Sequence, residues 1–360
     1  MINDSSVTVD AAMDIKCESK TQEDFVRVID IDKLEVGDII LTTSEESIST
    51  LIKTVTDSDI SHAMVYLGGG SVVDSTGDGV HARNLQKMPY PESCAIYVLR
   101  MNEALTEKQF EKIEIYARSN IGTGYSMGEA GLSIFDVESG GSRKQFCSRL
   151  VARAFEEAGI RLVKNPNYCT PDDLKQSSLL SFVDGVIQSI SMADFRSRGK
   201  DSVQEMRDVT KALLSEIRKI APNVESINDI NDFLIGNSKM DGEIAQIFVK
   251  SGYLDLWRND EALYPWRYDL LKIVDFYESG NKRLELIKYA RESVAHIEEG
   301  GFDHWIVCAR GYFYAYKYYG FETFKLLAEL YSNLESQLNR RLLCAKYVVE
   351  QAKKDVSASM

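Results

Sequence analysis

Two segments of this chain carry residues that together could run thiol chemistry. One is Ser61-His62-Ala63-Met64-Val65-Tyr66-Leu67, and the other, about eighty residues later, is Gln145-Phe146-Cys147-Ser148-Arg149-Leu150-Val151. The thiolate is the reactive form of cysteine and a neighbouring imidazole can take its proton, so a histidine on a strand and a cysteine opening a helix make a nucleophile and its base. At a helix start the unpaired N–H groups and the positive end of the dipole favour a thiolate, and Arg143, Lys144 and Arg149 add positive charge nearby. A buried structural cysteine is the commoner fate of a free thiol. The case for Cys147 therefore rests on what surrounds it.

His62 to Leu67 alternates, Gly68-Gly69-Gly70 turns the chain, and Ser71-Val72-Val73-Asp74-Ser75 returns, which is a hairpin pattern. If Leu67 pairs with Ser71, then His62, Met64, Val72 and Asp74 share one face and Asp74 is a diagonal neighbour of His62. An aspartate there can accept the imidazole N–H and stabilise the imidazolium. The bland alternative is a histidine satisfied by backbone and an aspartate facing water. His81 follows in what reads as a surface loop, and His296 and His304 lie in a helical region and read as structural. The remaining cysteines, Cys17, Cys94, Cys169, Cys308 and Cys344, have no paired spacing. Neither a zinc site nor a disulfide framework is expected, and a reducing compartment fits best. The glycine triplet lacks the strand-then-helix setting of a phosphate loop. No metal or organic cofactor is expected.

The elements that must position these residues read as α+β. Val36-Gly37-Asp38-Ile39-Ile40-Leu41 is a turn feeding a strand, and Cys94 to Leu99 is another strand. Thr106-Glu107-Lys108-Gln109 has the form of a capping box opening a helix that carries Phe110, Ile113, Tyr116 and Ala117 on one face. Phe146 to Ala158 repeats apolar residues at helical spacing with Gly159 as its stop. Thr50 to Val55 fits a short helix or a strand, and Gly122 to Gly141 reads as glycine-rich loop around a short strand at Tyr125. The expected organisation is a loose tail over 1–24, an antiparallel sheet with a cysteine-bearing helix over 25–185, a linker over 186–201 and an all-α domain over 202–360. No proline follows Pro265 to interrupt the long helical runs. Within them, the aromatic run Tyr312 to Phe321 is expected to pack in the core of that domain rather than form an interfacial patch.

Composition sets outer bounds. At 360 residues, 44% hydrophobic and 27% charged, the chain has a globular composition with room for two domains. A formal net charge of −13 argues against a nucleic-acid partner and against a general attraction to anionic membranes. The opening residues lack a basic and an apolar signal region, and no uncharged apolar run approaches the ~18 residues of a membrane span. The expectation is a protein cytoplasmic as synthesised, with no Sec signal and no transmembrane segment, for which export by a signal-independent secretion system stays open.

Taken in order, Val36 to Leu41, Ser61 to Leu67, Val72 to Ser75, Gly124-Tyr125, Phe146 to Val151 and Thr170-Pro171-Asp172-Asp173-Leu174 resemble the permuted NlpC-type papain-fold hydrolases. This is the YiiX-like and lecithin retinol acyltransferase-like group, in which the histidine strand precedes the cysteine helix. The resemblance covers roughly residues 36–183. It implies a permuted papain-like domain with Cys147 as nucleophile, His62 as base and Asp74 as the polar third member, a position more often Glu or His in relatives. Ser126 stands where an aspartate often follows the tyrosine. The implied activity is hydrolysis or transfer of an acyl group through a thioacyl-enzyme, on a lipid ester or a peptide amide, with a lean toward ester. One alternative is a cell-wall peptide (peptidoglycan) endopeptidase or amidase. Another is a non-catalytic binding module with the helical domain as partner surface. A bacterial effector or toxin, with a delivery or immunity protein docking on the helical domain, is compatible with the missing signal.

Overall fold

The computed structural model describes residues 25–43, 59–77, 79–123, 146–199, 201–300 and 302–358. The segment 1–24, Thr50 to Val55, Tyr125 and Ser126 lie outside the described residues. Among those described, the strands are β1 (Phe25–Ile29), β2 (Ile39–Thr42), β3 (His62–Gly68), β4 (Ser71–Thr76), β5 (Gly79–Asn84), β6 (Ile96–Met101), β7 (Leu180–Phe182) and β8 (Ile187–Ser191). Six of them form an antiparallel sheet in the order β5-β4-β3-β2-β6-β7, and β1 pairs with β8 separately.

The central strands are apolar at nearly every position because both faces of the sheet are covered. One face buries Ile39, Leu41, Ala63, Val65, Leu67 and Val73 against α1 (Glu107–Ser119) and α2 (Cys147–Glu157). The other buries Ile40, Met64, Tyr66, Val72 and Val98 with Ile29, Leu85 and Tyr90. In α2, Leu150, Val151, Ala154 and Phe155 are all fully buried, spaced as one helical face. Burying Leu150 or Phe155 contributes roughly 1.5–3 kcal/mol each. The helix therefore sits firmly on the sheet, and its first residue is Cys147.

The β3–β4 register aligns Met64 with Asp74, Val65 with Val73 and Tyr66 with Val72, the parity expected from the hairpin. Nearer the turn it shifts, so that Gly68, not Leu67, faces Ser71. A second hairpin follows, with Asp74 opposite His81 and Val72 opposite Arg83.

The stretch 186–201 is not a plain linker. Ile187–Ser191 is β8, running back along β1, and Met192–Ser197 forms α4, capped by the Ser191 hydroxyl. Short α3 (Pro171–Lys175) precedes it, opened by the Thr170 capping box. Beyond it come α5 (Ser202–Ile220), α6 (Asp229–Gly236), α7 (Asp241–Ser251), α8 (Arg258–Leu263), α9 (Leu270–Glu278), α10 (Arg283–Glu298), α11 (Asp303–Tyr319) and α12 (Glu322–Ala358). These helices bury two clusters of their own, one around Leu213, Ile217, Phe248 and Phe324, the other around Ile273, Leu286, Ala290 and Val348. The 37-residue α12, about 55 Å long at the helical rise, contributes to both.

Sheet and helices meet at Gly122. It has φ +91°, and a Cβ there would lie 2.3 Å from Leu214 Cδ1 of α5. Glycine thus serves both the left-handed backbone and the close approach. Arg218 on the same helix donates to the Gly122 carbonyl at 2.7 Å. The aromatic run of α11 is split, contrary to expectation. Tyr312 is buried and stacks on Tyr331, whereas Phe313, Tyr314 and Tyr318 are exposed, because consecutive residues on a helix face different sides.

Candidate active site

Cys147 is the first residue of α2. The cap before it, Phe146, is extended (φ −129°, ψ 162°) and makes no side-chain cap bond, so the cap itself supplies no acceptor to the first N–H groups of the helix. The helix start is anchored by its next two residues. Ser148 Oγ donates to the Cys169 carbonyl at 2.6 Å, and Arg149 Nε donates to the Asn167 carbonyl at 2.8 Å. The Arg149 guanidinium also lies over the rings of Phe146 and Tyr168, 4.5 and 5.3 Å from their centroids. Arg149 is thus a buried strut between the helix and the loop that follows it, not a free cation beside the thiol. Arg143 and Lys144 lie outside the described residues.

The Cys147 Sγ lies 4.0 Å from the Ser61 carbonyl oxygen, at the point where β3 begins, and this brings the thiol to His62. His62 Nε2 is 2.8 Å from Asp74 Oδ2. Nδ1 is then the ring nitrogen left for the thiol. Asp74 is fully buried, and its other oxygen, Oδ1, accepts from Arg83 Nε at 3.0 Å. The structure therefore brings Cys147, His62 and Asp74 together.

The electrostatics follow from this packing. Burial opposes the charged form of His62. The hydrogen bonds to Asp74 and Cys147 and the negative charges beside the ring outweigh it, raising its pKa from 6.5 to about 10. Burial likewise opposes ionisation of Asp74, yet the hydrogen bond from His62 and the charges of His62, Arg83 and His81 hold its carboxyl below the usual range. Both groups are held in the forms that pair.

His81 is not a surface loop residue. It lies on β5, directly across from Asp74, and is 5% exposed. The sequence did carry its signal: Thr76-Gly77-Asp78-Gly79 is a turn pattern, and once it is read as one, His81 and Arg83 fall on the face of Asp74. Arg83 was missed for the same reason. His296 and His304 are far from this cluster, stacked edge-to-face on Phe302 and Trp305, and burial pushes both toward the neutral form, His304 down to about 4. Among the described residues no group of histidines, cysteines and carboxylates is arranged to hold a metal ion, and no helix is long and apolar enough to cross a membrane.

Comparisons with known proteins find relatives of the sheet-bearing part of the chain. Residues 33–207 match the family described as permuted papain-like amidase enzyme, YaeF/YiiX, C92 family. A protein of Escherichia coli (strain K12) described as "Probable lipoprotein peptidase YaeF" is 26% identical over 207 residues, which span 47% of this chain and 75% of that protein. A crystal structure of metalloprotein yiiX from Escherichia coli O157:H7 aligns with 18% identity over 42% of this chain and 97% of its own, with a TM-score of 0.29. Residues 33–207 of this chain are therefore similar to the permuted papain-like amidases.

Proposed function

We propose that the protein hydrolyses a peptide amide through a thioacyl-enzyme, with Cys147 as nucleophile, His62 as acid and base and Asp74 as the carboxylate that orients and charges His62. The observation that carries this reading is the position of His62, bonded to buried Asp74 at 2.8 Å on one side and meeting Cys147 on the other.

In the reactive form His62 has taken the Cys147 proton, which sets a thiolate beside an imidazolium. The thiolate attacks the amide carbonyl carbon, and the oxygen takes the π electrons as an oxyanion. N–H groups at the start of α2, beginning with that of Cys147, steady it. As the tetrahedral intermediate collapses, the C–N bond breaks and the imidazolium gives its proton to the departing amine. Neutral His62 then takes a proton from water, whose hydroxyl attacks the thioester and releases the acid and the thiolate. Asp74 keeps its charge throughout and stabilises the imidazolium on either side of each transfer. The relatives support an amide, since their descriptions name an amidase and a peptidase, and they lend nothing to ester or acyl-transfer chemistry. The helices beyond residue 202 are proposed as a separate unit, held by the two apolar clusters they bury among themselves.

The test is a panel of fluorogenic peptide amides and matched esters, read with wild type and Cys147→Ala. Cys147-dependent cleavage of amides, with a thioester trapped on Cys147 by mass spectrometry, is expected. Cys147-dependent cleavage confined to esters would overturn the amide assignment. Turnover that survives Cys147→Ala would overturn the nucleophile.

A further inference from the structure

Two aspartates are buried in this sheet and they are bound differently. Asp38, 1% exposed, takes both arms of Arg100, Nε to Oδ1 at 2.8 Å and Nη2 to Oδ2 at 2.7 Å, and also accepts from the Glu35 N–H at 2.8 Å. That carboxylate is closed off by a permanent cation. Asp74 receives only Nε of Arg83, on Oδ1 at 3.0 Å, and its second oxygen is left for His62. The guanidinium reaches it through Nε, so one carboxylate couples an arginine to a titratable imidazole.

We infer that Arg83 is a positioning residue of the thiol site: by gripping one oxygen of Asp74 it aims the other at His62 and supplies the positive charge that balances the cluster. The inference rests on the reading of Cys147, His62 and Asp74 given above. In the active state the thiolate and carboxylate carry two negative charges, and the imidazolium and guanidinium carry two positive ones. Removing Arg83 leaves a net negative charge in a buried place, and such a site takes up a proton at higher pH. The groups that face Asp74 are His62 from β3, His81 and Arg83 from β5, Tyr90 from the segment after β5, and Cys147 through His62 from α2. Among these, Arg83 alone is a guanidinium. The carboxyl of Asp74 is held low despite its burial, and the charge of Arg83 is among the causes.

The experiment reads alkylation of Cys147 by iodoacetamide against pH, site by site by mass spectrometry, in the full chain, and so needs no substrate. For Arg83→Gln the midpoint of the acid limb is expected to rise by about one pH unit, a roughly tenfold loss of rate below it. Arg83→Lys should restore the midpoint, because it restores the charge, yet leave turnover below wild type, because an ammonium does not reproduce the directed Nε–H bond to Oδ1. Asp74→Asn combined with Arg83→Gln leaves no uncompensated buried charge, and in that background the shift caused by Arg83→Gln should shrink to less than half. An Arg83→Gln profile lying on the wild-type one, or a shift of equal size with and without Asp74, overturns the inference. Failure of wild-type Cys147 to react faster than the other thiols would instead overturn the proposed nucleophile, so the two failures are told apart.

Discussion

The sheet half and the helical half bury the same kinds of apolar side chain but different polar ones. Among the described residues, the sheet half encloses Asp38, Asp74, His81 and Arg149, whereas the fully buried polar side chains of the helical half are Thr210, Ser226, Ser293, Thr323 and Gln337, none of them charged near neutrality. The helical half keeps its ion pairs near the surface, as in the Arg340–Glu261 fork at 2.7 and 2.8 Å. A buried charge costs several kcal/mol unless it is paired and hydrogen-bonded. A region that retains several has a use for strong local fields, and a region that retains none can be held by apolar packing alone. Substitutions at polar positions in the first should change rates, and those in the second should change stability.

The sharpest break of that contrast would come at Cys147 and Asp74. Cys147→Ala is expected to remove at least ~10⁴-fold of amide turnover while leaving the thermal midpoint close to wild type, since the side chain is small and the helix is held by Leu150 and Phe155. Asp74→Asn should lose roughly 10² to 10⁴ in turnover, the range for a neutralised triad carboxylate, with the α2 start unmoved. Asp74→Glu should be milder because it keeps the charge. A full-strength Asp74→Asn enzyme, measured by steady-state kinetics, would mean that the buried charges of the sheet half serve folding only.

Much of this was legible in the sequence, and the gaps have physical causes. The hairpin register could be read because side chains alternate with period two, so a glycine turn of known length fixes which residues share a face. The α2 start was legible from its apolar spacing and its Gly159 stop, where φ is +81°. The partnership of Asp74 with Arg83 and His81 was not read because it depends on recognising that Ser71–Thr76 and Gly79–Asn84 pair as a second hairpin. Strand β8 was hidden because Ile187–Ser191 is short, largely exposed and paired with residues far away in the chain. Long-range pairing of that sort leaves almost no local signal. Arg149 was read as a free charge near the thiol, since a sequence shows the charge but not the two rings and the carbonyl that hold it.

In the helical half the largest effect should fall on stability. Tyr312→Ala removes a buried ring that stacks on Tyr331 at 5.6 Å and whose hydroxyl meets Asn231 at 3.2 Å. A loss of about 3 kcal/mol in denaturant unfolding is expected, with the rate of Cys147 alkylation unchanged in the folded protein. Slower alkylation at full folding would show that the two halves are coupled through the α5 contact at Gly122.

A smaller effect belongs to pH. The pKa of His62 is raised to about 10 from 6.5 in the unfolded chain, so its stabilising contribution is complete below about 6.5 and is lost as pH rises toward 10. Asp74 is shifted the other way, so its contribution is present above 3.8 and fades as pH falls through its lower folded value. The gap in thermal midpoint between wild type and His62→Gln should therefore be widest between about pH 4 and 6.5 and narrow on the alkaline side. A gap that widens from pH 7 to 10 would contradict the charged pair.

The smallest effect is expected at the exposed aromatic face of α11. Tyr314 and Tyr318 are 69% and 82% exposed, and Tyr318 packs edge-to-face on its neighbour Tyr319, at 4.7 Å between ring centroids. Side chains so placed bury little area in the folded chain, so replacing both with serine should move stability by no more than about 0.5 kcal/mol. Nor should it touch the alkylation of Cys147, because no charge is added or removed near the sheet. The informative measurement is turnover on a full-length protein substrate beside turnover on a short peptide amide. Equal turnover on both would leave the helical half as a scaffold. A loss confined to the large substrate, with the short amide cleaved at the wild-type rate, would mean that this face engages substrate at a distance from the chemistry, and the division of labour between the halves would have to be redrawn.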